Sequence, residues 1–248
     1  MLSLACAACG LDAVGRHASD DTVDASALER GVDAGGDDAA LTSADGSAVP
    51  VIPPLCDPTA PALVACFRFE GEARDESGKS SNPTFSANLG FVPGREGLGV
   101  RLSLAPKSDL RLPYVNMNTP RATIEMWLRP ETLPAAGSRA MLVDMNGRFG
   151  VFMTDDGSLH CRTVSSLTKV TAGAWTHLAC VQDGATLTTY VNGKSEAAAP
   201  STLASTSDFI GIGQNSPDGS EPFDGVLDSL RIWSEPLDPA AVAEAASR

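Results

Sequence analysis

The spacing of apolar residues along the chain is that of short β-strands separated by tight turns. In the segment AWTHLACVQDGATLTTYVNGK, residues 174–194, two runs of aliphatic, aromatic and β-branched residues flank Asp183-Gly184, and Asn192-Gly193 follows the second run. Asp-Gly and Asn-Gly tolerate the positive φ angles of a type I′ turn, so the pattern predicts two successive hairpins. A meander of this kind needs a facing sheet to bury its apolar side.

Apolar runs bounded by turn residues continue over the rest of the chain from about residue 63. They predict strands at 63–70, 90–94, 98–102, 110–112, 123–130, 140–144, 150–154, 158–164, 209–213 and 226–233. Asp238 followed by Pro239 is a favourable helix start, which predicts a short C-terminal helix to about Ala246. About a dozen short strands with almost no helix predict an all-β fold, an antiparallel two-sheet β-sandwich.

The first 54 residues have a different composition. Nine acids and two arginines lie between Leu11 and Pro50, so this segment carries −7 of the net charge of −13. Residues 11–54, rich in Ala, Asp, Gly and Ser, cannot bury enough apolar surface to fold, and we predict a disordered acidic linker. The folded domain is then 55–248. Its acidic balance argues against nucleic acid as a partner, because binding it requires a basic surface.

Residues 1–10, MLSLACAACG, are apolar and rich in small residues. They resemble the end of a bacterial lipoprotein signal, with Cys9 as the first choice for the lipid-modified cysteine and Cys6 as the second. The stretch before Cys9 has no Lys or Arg and is shorter than a standard signal. The alternatives are a start codon placed too late or a tail with two incidental cysteines. Without a long apolar run, we expect membrane contact only through a lipid anchor.

The remaining four of the six cysteines form two pairs along the chain. No histidine stands at zinc-finger spacing, so disulfides are favoured if the protein is exported. Cys56 and Cys66 are joined by a Pro-rich stretch that can turn back, and a bond there would pin the start of the domain to its first strand. Cys161 and Cys180 lie on neighbouring strands and form the second predicted bond; the alternative is two small buried thiols.

An ordered set of sequence marks runs through the chain from Leu63 onward. The marks are FRFEG with DESG (67–71, 75–78), TIEMWLRP (123–130), WTHLACV leading to YVNG (175–181, 190–193), and FDGVLDSLRIW with LDP (223–233, 237–239). With these marks the chain resembles the laminin-G-like jelly rolls of the concanavalin A-like lectin/glucanase superfamily. The resemblance implies two packed antiparallel sheets of six or seven strands each. Family members are mostly non-catalytic modules that bind glycans or proteins, sometimes with calcium.

We therefore expect an exported cell-envelope protein whose jelly roll recognises a glycan or a protein at the cell surface. One alternative is a glycoside hydrolase or lyase on the same fold, which requires two carboxyl groups facing one another in a groove. The other is a structural envelope protein. Glu125 stands alone among apolar neighbours, and Asp228 is expected to accept backbone N–H bonds. His177 is expected to be a scaffold residue, so no catalytic residue is predicted.

Two further sets of residues are candidates for binding. The resembling fold places its first and last strands side by side, which implies one calcium site built from Asp75 or Glu70 with Asp224 or Asp228; the alternative is a set of surface acids. The second set consists of polar loop residues of the kind that bind glycans, namely Asp144, Asn146, Arg148, Asn215 and Asp218. Aromatic residues make up 5% of the chain and are expected mostly in strand cores, which argues against a stacking platform for sugars.

Overall fold

Fifteen antiparallel β-strands and one short α-helix are present in the part of the chain that the structure describes. The structure is a computed structural model, and it describes residues 55–79, 81–115, 120–145, 149–202 and 209–248. The predicted linker over 11–54 and the predicted lipidation sites Cys9 and Cys6 lie outside these residues. The strands are numbered in chain order.

The strands form two sheets. One has eight strands, in the order β13 (Lys194–Pro200), β12 (Thr186–Val191), β11 (Thr176–Asp183), β6 (Ala122–Pro130), β15 (Gly225–Trp233), β4 (Leu98–Leu102) and β3 (Gly90–Pro93), with β1 (Leu63–Phe67) also paired to β15. The other has seven, in the order β10 (Val164–Lys169), β9 (Ser158–Cys161), β8 (Gly150–Thr154), β7 (Arg139–Asp144), β14 (Phe209–Ile212), β5 (Asp109–Pro113) and β2 (Phe85–Ala87). The predicted antiparallel sandwich is confirmed, with one strand more in the larger sheet than expected.

The turn chemistry places the elements where the sequence predicted them. β11 pairs with β12 from Leu178–Val191 to Asp183–Thr186, and β12 turns into β13 after Asn192 and Gly193. The helix α1 runs over Pro239–Ala245, and the side chain of Asp238 accepts a hydrogen bond from the Ala241 N–H at 2.8 Å. Local signals a few residues long therefore define both hairpins and the helix.

The main core lies between the two sheets. Its largest fully buried side chains are Phe67, Phe69, Phe149, Phe223, Leu102, Leu110, Leu112, Ile124 and Met126. The structure contains a Cys161–Cys180 disulfide with a Cα–Cα distance of 5.6 Å. The sequence predicted that the two cysteines lie on neighbouring strands. In the structure they lie on β9 and β11, which belong to opposite sheets. The bond therefore crosses the core.

The two sheets differ in how their outer faces are covered. β6 and β15 are buried along almost their whole length, which means that both faces of the eight-stranded sheet are covered at its centre. Val242 of α1 packs on one part of that outer face, and a second part carries the segment held by the Cys56–Cys66 disulfide. β5 and β8, in contrast, alternate between buried and half-buried residues. We call the outer side of the seven-stranded sheet the open face.

No helix among the described residues is long and apolar enough to cross a bilayer. The two disulfides are typical of exported proteins, because reducing compartments keep cysteines as thiols.

Candidate functional site

A row of planar side chains crosses the middle of the open face. Phe152 of β8 pairs with His160 of β9 in register, and their rings stack with centroids 4.6 Å apart and an interplanar angle of 5°. The guanidinium carbon of Arg139, on β7, lies 5.0 Å from the centroid of the Phe152 ring. Alternate residues of adjacent strands point to the same side of a sheet, and this period brings the three together.

His160 is the titratable group in this row. Its imidazole Nε2 lies 3.4 Å from the hydroxyl of Thr154, and its pKa is lowered, chiefly because partial burial disfavours the charged ring. The neutral imidazole can both donate and accept a hydrogen bond. The row therefore offers a polar ring edge beside an aromatic surface.

An open cleft of about 820 Å³ lies at one end of this row. Arg139, Phe152 and Thr154 belong to its floor, and the segments around 132–138 and 221–224 form its sides. We call it the acidic cleft, because three carboxylates line it, those of Asp155, Glu221 and Asp224. Its volume is in the range of ligand-binding pockets, about 300–1,000 Å³.

Two of the three carboxylates, those of Asp224 and Asp155, accept hydrogen bonds from neighbouring protein groups. Asp224 accepts from Arg101 Nη2 at 2.6 Å and from the Thr132 hydroxyl at 2.9 Å. Asp155 accepts from the Gly137 N–H at 2.7 Å. These contacts hold the rim of the cleft together and leave the carboxylates with structural roles.

Glu221 is held differently. Its Oε1 accepts from Arg139 Nε at 2.8 Å, but its Oε2 is buried without a hydrogen-bond partner among the described residues. Its backbone has φ 53°, in the left-handed region that residues other than glycine seldom adopt. A strained backbone and an unmatched acceptor in one residue are typical of a binding site rather than of a rim contact.

A family model, Laminin_G_3, described as the concanavalin A-like lectin/glucanases superfamily, matches residues 105–243, more than half of the chain. The chain belongs to this superfamily. The match covers the strands from β5 to β15 and most of the helix α1. It therefore includes the open face except for β2, and all the residues that line the acidic cleft except Leu104. The laminin-G-like resemblance carried by the sequence marks is thereby confirmed.

Solved structures of this superfamily fold extend the comparison. Domain 4 of AbnA, a GH43 extracellular arabinanase from Geobacillus stearothermophilus, solved in complex with arabinotriose, matches with a TM-score of 0.60 and 22% identity, over 75% of this chain and 98% of that one. The binding domain of Paraclostridial Mosquitocidal Protein 1 matches with a TM-score of 0.60 and 19% identity, over 75% and 52%. A botulinum neurotoxin type C structure, concerned with interaction with two ganglioside molecules, matches with a TM-score of 0.57 and 13% identity, over 75% and 51%.

The chain thus spans nearly all of the arabinanase domain and about half of the two toxin structures. At these identities the likeness establishes the fold. No curated protein matches the chain.

The structure brings together three of the five polar loop residues proposed for ligand binding. Asp144 accepts from the Ser216 N–H at 2.7 Å, Asn215 donates to the Ser220 hydroxyl at 3.1 Å, and Asp218 accepts from the Ser220 N–H at 2.8 Å. All three shape the loop that follows β14, and none lines the acidic cleft. Asn146 and Arg148 lie outside the described residues.

The four acids proposed for calcium are divided among separate tasks. Asp228 accepts from the N–H groups of Arg95 and Glu96 at 2.8 and 3.1 Å, as predicted for a backbone acceptor. Glu70 accepts from the Leu98 N–H at 3.0 Å, at the other end of the same β3–β4 turn. Burial also raises the pKa of Asp228, which opposes the ionised form that calcium requires.

The other two acids, Asp75 and Asp224, accept hydrogen bonds on both of their oxygens. Both oxygens of Asp75 accept hydrogen bonds, from the N–H groups of Cys66, Ser77 and Ser81 and from the Ser77 hydroxyl. Asp224 is held by Arg101 and Thr132. Calcium takes six to eight oxygen ligands, and no group of three His, Cys, Asp or Glu positioned for a metal occurs among the described residues. The four residues do not fit a calcium site.

We therefore expect calcium to leave thermal stability unchanged. The thermal midpoint of the full chain, measured by differential scanning calorimetry, should agree within error in excess CaCl₂ and in EDTA. The four carboxylates already accept hydrogen bonds, so binding would require breaking them. A midpoint that rises with calcium concentration would contradict this expectation.

Glu125 is not alone, as its apolar sequence neighbours suggested. It is fully buried on the covered face of the eight-stranded sheet, where Oε1 accepts from Trp233 Nε1 at 2.8 Å and lies 3.0 Å from Arg231 Nε. That Arg231 contact is an ion pair that is not oriented as a hydrogen bond. His177 Nε2 lies 3.6 Å from Oε2. These residues form a buried charge cluster far from the open face.

The expectation that aromatic residues lie mostly in strand cores is wrong for the open face. Phe85 and Tyr114 are 50% and 39% exposed, and Phe152 and Phe209 are half-buried. All four belong to, or directly follow, strands of the seven-stranded sheet. Their alternation with core residues was visible in the sequence, for example in β8, but nothing in the sequence showed which side of that strand lacked a cover.

Proposed function

We propose that this chain is a non-catalytic recognition module of the cell surface that binds glycans through the acidic cleft. The observation that carries the proposal is Glu221, whose Oε2 is buried without a donor from the described part of the chain, in an open cleft of ligand size. A buried acceptor without a partner costs about 1–3 kcal/mol. A sugar hydroxyl supplies the missing donor, while Phe152 and His160 offer an apolar surface and a polar ring edge beside it.

The superfamily comparisons support a saccharide as the ligand. The structure of the arabinanase domain was solved with arabinotriose, and that domain is covered almost completely by this chain. Export is supported by the two disulfides, and we include in the proposal that Cys9, with Cys6 as the second choice, carries a lipid anchor. The linker over 11–54 would then separate the domain from the membrane.

The test is a glycan array on the full chain, followed by calorimetric titration of the strongest ligand. Glu221→Ala should weaken binding about tenfold, which corresponds to about 1.4 kcal/mol, because the ligand hydroxyl loses its acceptor. Glu235→Ala is the matched control, since Glu235 also pairs with an arginine at 2.8 Å but does not line the cleft. Equal affinity of the Glu221 variant and the wild type would contradict the proposal.

The three carboxylates in the cleft keep a glycoside hydrolase as the second candidate, because hydrolysis of a glycosidic bond requires two carboxyl groups. Prolonged incubation of the ligand with the protein, with reducing ends measured afterwards, separates the two candidates. We expect no new reducing ends. Release that is abolished in both Glu221→Ala and Asp155→Ala would favour the enzyme.

A further inference from the structure

A second concave region lies on the seven-stranded sheet, at the edge strand β2. It has a volume of about 480 Å³ and is lined by Thr84, Phe85, Arg111, Pro113, Tyr114 and Phe209. We call it the aromatic groove. It shares no lining residue with the acidic cleft. β14 pairs antiparallel with the last residues of β7, and Phe209, at the start of β14, therefore lies beyond the end of β7. Arg139 of the acidic cleft lies at the start of β7, so the two regions lie towards opposite ends of the strands.

The groove is built around one guanidinium group. The guanidinium carbon of Arg111 lies 5.5 Å from the centroid of Phe85 and 5.6 Å from that of Phe209. Arg111 is also bound by both oxygens of Asp109, with Nε–Oδ1 at 2.8 Å and Nη2–Oδ2 at 2.6 Å. Such a two-point bond fixes the plane of the guanidinium. The side-chain amide of Gln214 also donates a hydrogen bond to Asp109.

The aromatic side chains are exposed although the backbone beneath them is firmly held. Phe85 pairs with Arg111 across β2 and β5, and the preceding residue, Thr84, donates its N–H to the Arg111 carbonyl at 2.9 Å. Phe85 is nevertheless 50% exposed and Tyr114 39% exposed. Large aromatic side chains that stay in water on a rigid sheet edge form a preorganised apolar surface, which lowers the entropy that a ligand loses on binding.

The charge of the groove selects the class of ligand. Arg111 is the one charged residue among the described lining residues, and its charge is balanced by Asp109. A charged ligand would lose hydration on entering and find no unbalanced opposite charge. An uncharged saccharide has no such penalty, because its C–H faces can pack on the aromatic rings while its hydroxyls stay in water.

We propose that the aromatic groove is a second saccharide site, which binds an uncharged oligosaccharide by stacking a sugar ring on Phe85 and Tyr114. This inference rests on the proposed function and deepens it, because it assigns a separate subsite and a ligand class. The chain then holds glycans at two places on the same sheet, and the groove excludes acidic sugars.

The two tyrosines of the chain provide a direct readout. Tyr114 lines the groove, whereas Tyr190 is 7% exposed and packs under α1 on the covered face of the other sheet. In the full chain with ¹³C-labelled tyrosine, arabinotriose and cellotriose should shift the ring resonances of Tyr114 and leave those of Tyr190 in place. Trigalacturonic acid, of the same length but acidic, should not shift either.

Phe85→Ala should weaken the binding measured at Tyr114 about tenfold. Leu167→Ala is the matched control. Leu167 is also a large apolar residue that is exposed, to 76%, but it lies on β10 and does not line the groove. Phe85 is half in water, so its replacement should leave the thermal midpoint within a few degrees of the wild type.

The outcomes separate the two proposals. Glycan binding on the array without any shift of Tyr114, or a Phe85 variant that binds as tightly as the wild type, overturns the groove and leaves the cleft in place. Equal shifts with trigalacturonic acid overturn the ligand class. If the full chain binds no glycan on the array and neither neutral trisaccharide moves Tyr114, the proposed function and the groove both fail.

Discussion

Replacing Glu125 by glutamine should lower the free energy of unfolding by about 3–5 kcal/mol. The substitution leaves the shape of the side chain almost unchanged but removes its charge, and Arg231 then loses the opposite charge that contacts it, with only the more distant Glu244 left among the described residues. Arg231 is 7% exposed and Glu125 is fully buried, so water cannot replace the lost interaction. Urea denaturation of the full chain, followed by circular dichroism, measures the change.

Glu235→Gln is the matched control. Glu235 also forms an ion pair with an arginine, Arg121, at 2.8 Å, but both side chains are nearly half exposed. Exposed pairs contribute about 0–1 kcal/mol. The double variant Glu125→Gln/Arg231→Met should be less destabilised than the sum of its two single variants, because it removes both buried charges together. A loss for Glu125→Gln no larger than that for Glu235→Gln would contradict the buried charge cluster.

The same cluster predicts how stability depends on pH. Burial by itself would raise the pKa of Glu125, but the charge of Arg231, the contacts with His177 and the hydrogen bond from Trp233 together outweigh it, and the pKa lies below its usual value. A carboxyl with a lowered pKa stabilises the fold above its unfolded pKa of about 4.3 and loses that contribution as the pH falls through the folded value. The difference between wild type and Glu125→Gln should therefore be full at neutral pH and shrink in acid.

Removing the disulfide that crosses the core should have the second large effect. The double variant Cys161→Ala/Cys180→Ala should lose about 3 kcal/mol of unfolding free energy, because the bond closes a loop of about 20 residues in the unfolded chain. Both cysteines are fully buried between the sheets, so their loss also removes packing contacts. Denaturation under non-reducing conditions measures the effect.

Cys56→Ala/Cys66→Ala is the comparison for this second prediction. That bond closes a loop of 10 residues and lies beside the covered outer face, where Cys56 is 9% exposed. Its removal should cost about 2–3 kcal/mol by chain entropy alone. A smaller loss for the Cys161–Cys180 variant than for this one would mean that the bond does not act across the core. Dithiothreitol added to denatured wild type reduces both bonds, so its refolded stability should fall below that of either double variant.

The particular successes of the sequence have a common origin. Asp183-Gly184, Asn192-Gly193 and Asp238-Pro239 each define a turn or a helix cap within a few residues. The alternation of buried and half-buried residues in β8 is visible in a segment of five residues. Such signals do not depend on distant parts of the chain. The role of Asp228 as a backbone acceptor was also predicted, because a buried acid needs N–H donors, but its donors, Arg95 and Glu96, lie 133 and 132 positions away and only the fold identifies them.

The particular failures have a common origin as well. Trp233 and Glu125 are bonded although they are 108 positions apart, so nothing near Glu125 in the sequence showed its partners. Phe85, Arg111 and Phe209 meet because β5 lies between β2 and β14 in the sheet order. The expected calcium ligands lie in two different loops and on β15, and each is occupied by donors that only the folded chain brings near.

The sequence by itself determined the strands, the hairpins, the helix cap, the sandwich and the superfamily, because period and turn chemistry are local properties of the chain. The tertiary structure decided which outer face is covered by α1 and the disulfide-held segment, and hence which face is open. It also decided that Glu221 has an acceptor without a donor and that four aromatic side chains lie outside the core. These are properties of strand order and of layers packed on a sheet, and both depend on residues that are far apart in the chain.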